Sequence, residues 1–203
     1  MNIGGGPHRI EWLRSKVKLE DTILEVGCAD NIIWRDTQFK VTTLDKSVRP
    51  EENCFPDVVG EAENLPFEDN DFDIVCEAEL LEHVDVPQKA LREAVRVARK
   101  RVIITVPNEF AWPPELKPFE NPGHVRFYAK DTFAKELSKV GLEFKVEDIV
   151  WGPWAWFSAE IYCRGTKPKV ASSMEWADYQ FLTRPDAFLI AKQLYQIEQA
   201  IGR

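Results

Sequence analysis

The hydrophobic positions of the chain follow two different spacings. Short apolar runs rich in Val and Ile predict buried strands, and they lie at 22–26, 41–44, 57–60, 72–76 and 101–106. Apolar residues three and four apart predict amphipathic helices, which fall at 8–18, from about 87 to 98, at 131–140 and from about 185 to 201. Two more strands, 142–151 and 159–165, enclose a Trp-rich loop at 151–157. This alternation predicts a three-layer α/β sandwich.

The first predicted strand ends in a glycine turn. Residues 22–26 run into Gly27 and then into a short amphipathic segment at 32–36, where we expect a helix to begin. Such a turn points backbone N–H groups into the crevice at the carboxyl end of the strand, where open α/β sheets bind ligands. Asp45 ends the next apolar run, 18 positions after Gly27, and its carboxylate could accept hydrogen bonds from both hydroxyls of a ribose. The pattern predicts a nucleoside cofactor without saying which one.

Composition narrows the class of protein. The 203 residues are 44% hydrophobic, which predicts a single globular domain over 1–203. A net charge of −8 disfavours a nucleic-acid partner, because an acidic surface repels phosphates. No apolar run is as long as a membrane span and no signal-like segment begins the chain, so we expect a cytoplasmic protein without membrane contact. The four cysteines lack CxxC spacing, and no metal site is expected.

An ordered set of motifs resembles one enzyme family. It begins with Ile-Leu-Glu-Val-Gly-Cys at 23–28, Leu-Asp at 44–45, Gly-Glu-Ala-Glu-Asn-Leu-Pro-Phe at 60–67 and Asp-Phe-Asp-Ile-Val at 71–75. It continues with Leu-Glu-His-Val at 81–84, Arg-Glu at 92–93, Arg-Val at 96–97, Val-Pro-Asn at 106–108 and His-Val-Arg-Phe-Tyr at 124–128. In these residues the chain resembles the class I S-adenosylmethionine-dependent methyltransferases, in the small-molecule group with a methyltransferase-11 type of domain.

The resemblance implies a Rossmann-like, seven-stranded, mostly parallel sheet of order 3-2-1-4-5-7-6 with the last strand antiparallel. It also implies S-adenosyl-L-methionine as cofactor and S-adenosyl-L-homocysteine as product. The implied cofactor-binding residues are Glu25, Gly27, Cys28, Ala29, Asp45, Lys46, Glu61, Ala62, Cys76 and Glu77. Glu25 and the Gly27 turn would hold the methionine part of the cofactor, and Asp45 the ribose. Glu61 and Ala62 would contact the adenine, and Cys76 and Glu77 would lie near the sulfonium.

The glycine turn departs from the family pattern. The family carries three glycines at alternate positions, whereas this chain has Gly27 followed by Ala29 and Asn31. Ala is small enough for a close backbone approach, and Asn tolerates a left-handed conformation. Cofactor binding is therefore still expected.

Two histidines are the candidates for proton transfer. His124 lies beside the Pro-rich segment that we expect to be the substrate-side loop, 107–128, and His83 follows the fourth strand. Both fall near the carboxyl edge of the predicted sheet, where a base would be needed for a hydroxyl acceptor. The alternative is that His83 packs against a helix end and His124 stabilises the loop.

The remaining candidate residues would contact the acceptor. Arg126 and Tyr128 share a strand-like face with His124, so they could bind a carboxylate or a hydroxylated substrate. The alternative is a loop anchored by a salt bridge. Trp112 and Trp154 are expected in an aromatic wall, although these tryptophans could equally form an oligomer contact.

We expect methyl transfer from the cofactor to an oxygen, nitrogen or carbon atom of a small molecule, with oxygen slightly preferred. One alternative is a catalytically inactive module of the same fold that binds or regulates a partner, as the missing glycines permit. Another is a nicotinamide oxidoreductase, which the absence of Gly-x-Gly-x-x-Gly disfavours. Residues 172–203 are expected to form a helical extension, and this extension or the Trp-rich loop could mediate a homodimer.

Overall fold

One seven-stranded sheet organises the part of the chain that the structure describes. The computed structural model describes residues 7–163, which belong to the unit Met1–Pro168. The strands are β1 (Thr22–Val26), β2 (Lys40–Asp45), β3 (Val58–Val59), β4 (Phe72–Ala78), β5 (Ala98–Pro107), β6 (Phe144–Trp151) and β7 (Trp154–Tyr162). The helices are α1 (Pro7–Ser15), α2 (Pro87–Val97) and α3 (Lys130–Ser138), with short 3-10 turns at Pro50–Glu52, Glu109–Ala111 and Pro114–Leu116.

The strand order is β3-β2-β1-β4-β5-β7-β6, which confirms the predicted topology. The first five strands pair in parallel, and β7 runs antiparallel to both β5 and β6. Every residue of β4 is buried, because this central strand has neighbours on both sides and apolar cores on both faces. The carboxyl ends of β1, β2 and β4 therefore meet at one edge of the sheet, which is where ligands bind in such folds.

The sheet separates two apolar cores, as a three-layer sandwich requires. Helices α2 and α3 cover one face, where the buried residues include Leu24, Val75, Leu91 and Phe133. Helix α1 covers the other face, where they include Leu13, Ile23, Ile74 and Ile103. Burial of each such side chain stabilises the fold by about 1.5–3 kcal/mol. The two cores fix the sheet edge that carries the site.

The helix ends confirm some sequence expectations and correct another. Pro87 occupies the first turn of α2, as predicted, and Gly141 adopts a left-handed conformation after α3 with φ of +72°. The sequence predicted that α3 begins at residue 131, but the helix begins at residue 130 and Ala129 is its N-cap. Thr132 provides the cap instead, because its Oγ1 accepts a hydrogen bond from the Ala129 N–H at 2.9 Å.

The helix expected after the glycine turn does not form. Residues 32–36 make consecutive turns, with one α-helical hydrogen bond from the Arg35 N–H to the Asn31 carbonyl at 3.0 Å. Asp36 then adopts a left-handed φ of +58°, which stops the helix after one turn. The apolar residues Ile33 and Trp34 that suggested an amphipathic helix are buried against α1's core instead.

The Trp-rich segment was predicted as a loop and is mostly strand. Strand β7 begins at Trp154, and only Gly152 and Pro153 separate it from β6, so the two strands form a tight hairpin. Gly152 allows this turn with a φ of +56°. The predicted helix at 185–201 and the extension at 172–203 lie outside the described residues. Within residues 7–163, no helix is long and apolar enough to cross a membrane.

Candidate active site

The turn after β1 depends on a glycine at position 27. Gly27 has a φ of +76°, and its N–H and the N–H of Cys28 both donate to the Leu44 carbonyl, at 2.8 and 3.2 Å. A Cβ at this position would lie 2.8 Å from Leu80 Cδ1. Both the conformation and the close approach therefore favour glycine, and the turn is held against the end of β2.

The two positions where the family has glycine keep the left-handed backbone. Ala29 has a φ of +45° and Asn31 a φ of +52°. This conformation costs a non-glycine residue about 1–2 kcal/mol, and Asn tolerates it better than Ala. The Ala29 N–H donates to Asp45 Oδ2 at 3.2 Å, so this backbone conformation places a donor at the end of β2.

Asp45 lies at the end of β2 and is engaged by an arginine. Arg49 donates from Nη1 to Oδ1 at 2.6 Å and from Nη2 to Oδ2 at 3.2 Å. Burial acts to raise the pKa of Asp45, but the hydrogen bonds from Arg49 and Ala29 outweigh it and hold this pKa below its ordinary value. Asp45 is therefore an anion at neutral pH, and Arg49 competes with a ribose for its oxygens.

A cavity of about 600 Å³ opens beside this turn, at the carboxyl ends of β1 and β4. Its volume is within the range of small-molecule sites. Residues of the segment 107–128 and the beginning of β7 form its other walls. The sequence-predicted site residues that line it are Glu25, Gly27, Cys28, Ala29, His83, Trp112, His124 and Trp154.

Other predicted site residues do not line this cavity. Lys46 and Glu61 are exposed, Ala62 belongs to the core under α2, and Cys76 belongs to the core under α1. Glu77 is fully buried. The cofactor-binding roles that the resemblance implied for these residues stay predictions.

Arg126 and Tyr128 also lie away from the cavity lining. The Arg126 guanidinium donates to the carbonyls of Leu81, Val84 and Asp85, so it ties the 107–128 segment to the turn that follows β4. The expected strand-like face does not form, since residues 124–128 are irregular. Tyr128 is 4% exposed and packs edge-on against Phe133 of α3. These contacts match the alternative of an anchored loop, with carbonyl groups in place of a salt bridge.

Glu25 brings a buried carboxylate to the cavity wall. Glu25 is 2% exposed, and its carboxylate oxygen Oε2 has no hydrogen-bond partner within the described residues. Burial raises its pKa to about 8, although Arg9 on α1 acts to lower it. Arg9 itself is 3% exposed and lies over the ring of Trp156, 6.0 Å from the ring centroid. A cationic ligand beside Glu25 would satisfy the unpaired oxygen.

Three more acids lie at the end of β4, of which Glu77 and Glu82 are buried and Glu79 is half-buried. Burial raises the pKa of Glu77 to about 8, and burial likewise raises that of Glu79. The pKa of Glu82 lies well above its ordinary value because of burial and of neighbouring Glu79. Glu79 accepts a hydrogen bond from Trp156 Nε1 at 3.0 Å, whereas both oxygens of Glu77 and of Glu82 lack a partner among residues 9–163.

The two candidate histidines lie side by side. Their ring centroids are 4.7 Å apart in an edge-to-face arrangement. His83 Nδ1 lies 2.8 Å from the Gly123 carbonyl, and His124 Nδ1 lies 2.5 Å from Glu109 Oε1. Partial burial lowers the pKa of His83. The structure thus brings together two residues from separate segments that the sequence had only placed at the same edge.

Trp112, Trp154 and Trp156 line the cavity. The Trp112 and Trp154 rings meet edge to face with centroids 5.1 Å apart, and Trp154 stacks on Trp156 at 6.5 Å. The Trp112 Nε1 donates to the Ala155 carbonyl at 3.0 Å, which ties the 107–128 segment to β7. A role of this wall in a homodimer stays a prediction.

Sequence reasoning missed several lining residues. They are Arg9, Asp30, Glu79, Glu82 and Glu109. Arg9 was hidden in a helix that seemed to serve packing only, and Glu109 in an irregular segment without periodicity. Glu79 and Glu82 offered a usable signal, because acids directly after a buried strand lie at the carboxyl edge of a parallel sheet.

Comparison with known proteins supports the resemblance. Residues 24–106 match the family model described as a methyltransferase domain. These residues are similar to that family, in agreement with the resemblance that the motifs carry. The family and the fold imply S-adenosylmethionine as the cofactor. The comparison with curated proteins gave no match.

Solved structures share this fold at low sequence identity. A S-adenosylmethionine-dependent methyltransferase from Thermotoga maritima, titled a possible histamine N-methyltransferase, is 20% identical with a TM-score of 0.60, over 76% of this chain and 87% of that one. One from Archaeoglobus fulgidus is 16% identical with a TM-score of 0.62, over 76% and 91%. The [4+2]-cyclase SpnF is 16% identical with a TM-score of 0.57, over 77% and 81%. The fold is therefore shared by proteins of different titled activities.

Proposed function

We propose that this chain is an enzyme that transfers the methyl group of S-adenosylmethionine to an oxygen, nitrogen or carbon atom of a small molecule bound in the cavity. The observation that carries the proposal is the unpaired, buried carboxylate oxygen of Glu25 beside the Gly27 turn. The cofactor carries an ammonium and a sulfonium group, and a cation next to Glu25 would satisfy that oxygen and favour its ionised form. The residues present therefore fit the cofactor.

The cofactor would be held by backbone and side chains of two strand ends. Glu25 and the turn of Gly27, Cys28 and Ala29 would bind its methionine part, because they line the cavity. Asp45 would accept from the ribose hydroxyls, which requires Arg49 to share or release the carboxylate. Glu61 and Ala62 stay the predicted contacts of the adenine.

The other half of the cavity would position the acceptor. When bound, the cofactor supplies an electrophilic methyl group, and in-line transfer needs an aligned acceptor and the exclusion of water. Trp112, Trp154 and Trp156 provide a rigid apolar wall for both purposes. A small, largely aromatic acceptor is consistent with this wall.

A hydroxyl acceptor would also have to lose a proton. His124, whose Nδ1 is held by Glu109, could accept that proton at Nε2. Alternatively, the two histidines could hold a cation that makes the hydroxyl more acidic. The two chemistries exclude each other, since both use the same lone pair of His124.

The cofactor test is calorimetric titration of the full chain with S-adenosylhomocysteine, with NAD as the control ligand. We expect micromolar binding of the former only, and a loss of at least about tenfold in affinity in Asp45→Ala, which is 1.4 kcal/mol or more. Asp71→Ala removes an exposed carboxylate outside the cavity and is the matched control. Wild-type protein that binds no S-adenosylhomocysteine would overturn the proposal.

A second candidate function is a module that keeps the fold but does not transfer methyl groups. The Asp45–Arg49 pair favours it, because an internal cation already occupies the predicted ribose site. Labelled S-adenosylmethionine with a panel of phenols, catechols, amines and carboxylates separates the two candidates. The module would be favoured if the protein binds the cofactor but transfers no labelled methyl group to any compound of the panel, and if the Arg49→Ala variant transfers none either.

A further inference from the structure

Glu82, His83 and His124 place three potential metal ligands together at the cavity. One ligand atom from each residue lies within 4.8 Å of the others, and all three residues line the cavity. The two segments that carry them are fixed to each other, since the Val125 N–H donates to the Glu82 carbonyl at 2.9 Å and Arg126 bonds to the carbonyl of Leu81 at 2.6 Å. These contacts hold the two segments together, and in the cluster Glu82 is buried, His124 is half-buried and His83 is exposed.

Both imidazoles are held at Nδ1 by an oxygen atom of another residue. The Nδ1 atoms of His83 and His124 face a carbonyl oxygen and a carboxylate oxygen, at 2.8 and 2.5 Å. Since these oxygens accept hydrogen bonds, each Nδ1 carries the proton and each Nε2 keeps its lone pair. A second hydrogen bond of this kind fixes the tautomer and the ring orientation of metal-binding histidines.

Glu82 supplies an independent observation. The residue is 1% exposed, and neither carboxylate oxygen has a hydrogen-bond partner within residues 9–163. Of the neighbouring acids, Glu109 is engaged by His124 and the Phe119 N–H. Glu79 accepts from Trp156 through Oε2, whereas its Oε1 has no hydrogen-bond partner within residues 9–163. A buried carboxylate without donors is unfavourable unless a cation binds it or it stays protonated.

We propose that Glu82, His83 and His124 bind one divalent transition-metal ion at the acceptor end of the cavity. Two imidazole nitrogens and one carboxylate oxygen suit Zn²⁺, Mn²⁺, Fe²⁺ or Co²⁺ better than Mg²⁺ or Ca²⁺, which prefer oxygen ligands alone. Three protein ligands leave coordination positions open towards the cavity. The ion would use the lone pair of His124 Nε2, so His124 would not act as a general base.

A second cluster, Cys28, Asp45 and Cys54, also brings three ligand atoms within 4.8 Å, but it is the weaker site. Asp45 is already held by Arg49. Burial raises the pKa of Cys28 to about 12 and also raises that of Cys54, and a thiol must lose its proton to bind a metal. This cluster therefore provides the rival site in the test.

The test titrates tag-free, chelator-treated full-length protein with Co²⁺ followed by visible absorption, and with Zn²⁺ followed by calorimetry. We expect one ion per chain, with at least about tenfold weaker binding in Glu82→Gln and His124→Ala. His8→Ala and Cys54→Ser should bind like wild type, since they change the third histidine of the sequence and the rival cluster. Unfolding curves check that each variant is folded. If His124→Ala is not folded, the nearly isosteric Glu82→Gln variant alone decides the test.

Three results would overturn the proposal. They are no binding to wild type, unchanged binding in Glu82→Gln, or a thiolate charge-transfer band that disappears in Cys54→Ser. The assay contains no S-adenosylmethionine, so its outcome does not depend on the methyltransferase proposal.

Discussion

Asp45 and the acids that follow β4 lie at the same edge of the sheet but in opposite electrostatic states. Asp45 accepts hydrogen bonds from Arg49 and Ala29, which hold its pKa below the ordinary value against the effect of burial. Glu77 and Glu82 have no hydrogen-bond partner within the described residues, and burial raises their pKa values. At the end of β2 the Asp45 carboxylate is ionised and its charge is already balanced by Arg49. At the end of β4 the glutamates favour either protonation or a bound cation.

The difference separates two ways of building a ligand site. The turn after β1 is shaped by backbone conformation, and its donors and acceptors are largely satisfied without a ligand. The β4 end is shaped by side chains, and several of their buried polar atoms have no hydrogen-bond partner among residues 9–163. We infer that the first region sets where the cofactor lies, and that the second determines what is done at its reactive end.

The largest expected effect concerns Glu77 and pH. Its folded-state pKa of about 8 lies above the ordinary 4.5, so the folded chain keeps a proton that the unfolded chain releases. The free energy of unfolding should therefore fall as pH rises from about 5 to 8, by about 1.4 kcal/mol per pH unit from this group. Glu77→Gln should match wild type near pH 5 and become the more stable protein as pH rises.

Urea unfolding at several pH values between 5 and 8 measures this difference. Glu68→Gln, at an exposed position, is the control for the chemical change itself. If the difference in free energy of unfolding between Glu77→Gln and wild type stays constant with pH, the proposed electrostatic difference between the ends of β2 and β4 is wrong.

An intermediate effect is expected from Gly27→Ala. Left-handed backbone costs Ala about 1–2 kcal/mol, and the new Cβ would contact Leu80 Cδ1 at 2.8 Å, which adds about 1 kcal/mol of crowding. Gly141→Ala is the matched control, because Gly141 has a similar φ of +72° with nothing within 4 Å. We expect Gly27→Ala to be the less stable variant and the only one that weakens S-adenosylhomocysteine binding. Equal losses would show that the close approach at residue 27 has no energetic role.

The smallest effect is expected from Arg49→Ala. The Asp45–Arg49 pair is partly buried, with the arginine side chain 22% and the aspartate side chain 6% exposed, so its loss should cost about 1–2 kcal/mol at pH 7. Because the pKa of Asp45 is lowered, this stabilisation is present at neutral pH and is lost as pH falls through the acid range. Thermal unfolding at pH 7 and pH 3 should show the difference shrinking. Glu52→Gln removes only the other partner of Arg49 and should have little effect at either pH.

The fold could be predicted because its signals are local or repeat along the chain. The apolar run before Gly27, the periodicity of α2 and the acid at the end of β2 each depend on residues close in sequence. Two of the failures were also local in origin. Left-handed Asp36 stopped a helix that the apolar spacing favoured, and a hairpin with β6 turned a Trp-rich loop into strand.

The sequence by itself determined most of the strands and helices, the glycine turn and a nucleoside as the class of cofactor, and the order of the strands followed from the family that its motifs resemble. Only the tertiary structure decided that Arg9, Glu109 and His124 meet the acids after β4, that Arg49 pairs with Asp45, and that two histidines and Glu82 form a cluster. Backbone conformation and hydrophobic period are properties of neighbouring residues. Contacts between distant polar side chains depend instead on how the segments between them pack, and no pattern in the sequence encodes that directly.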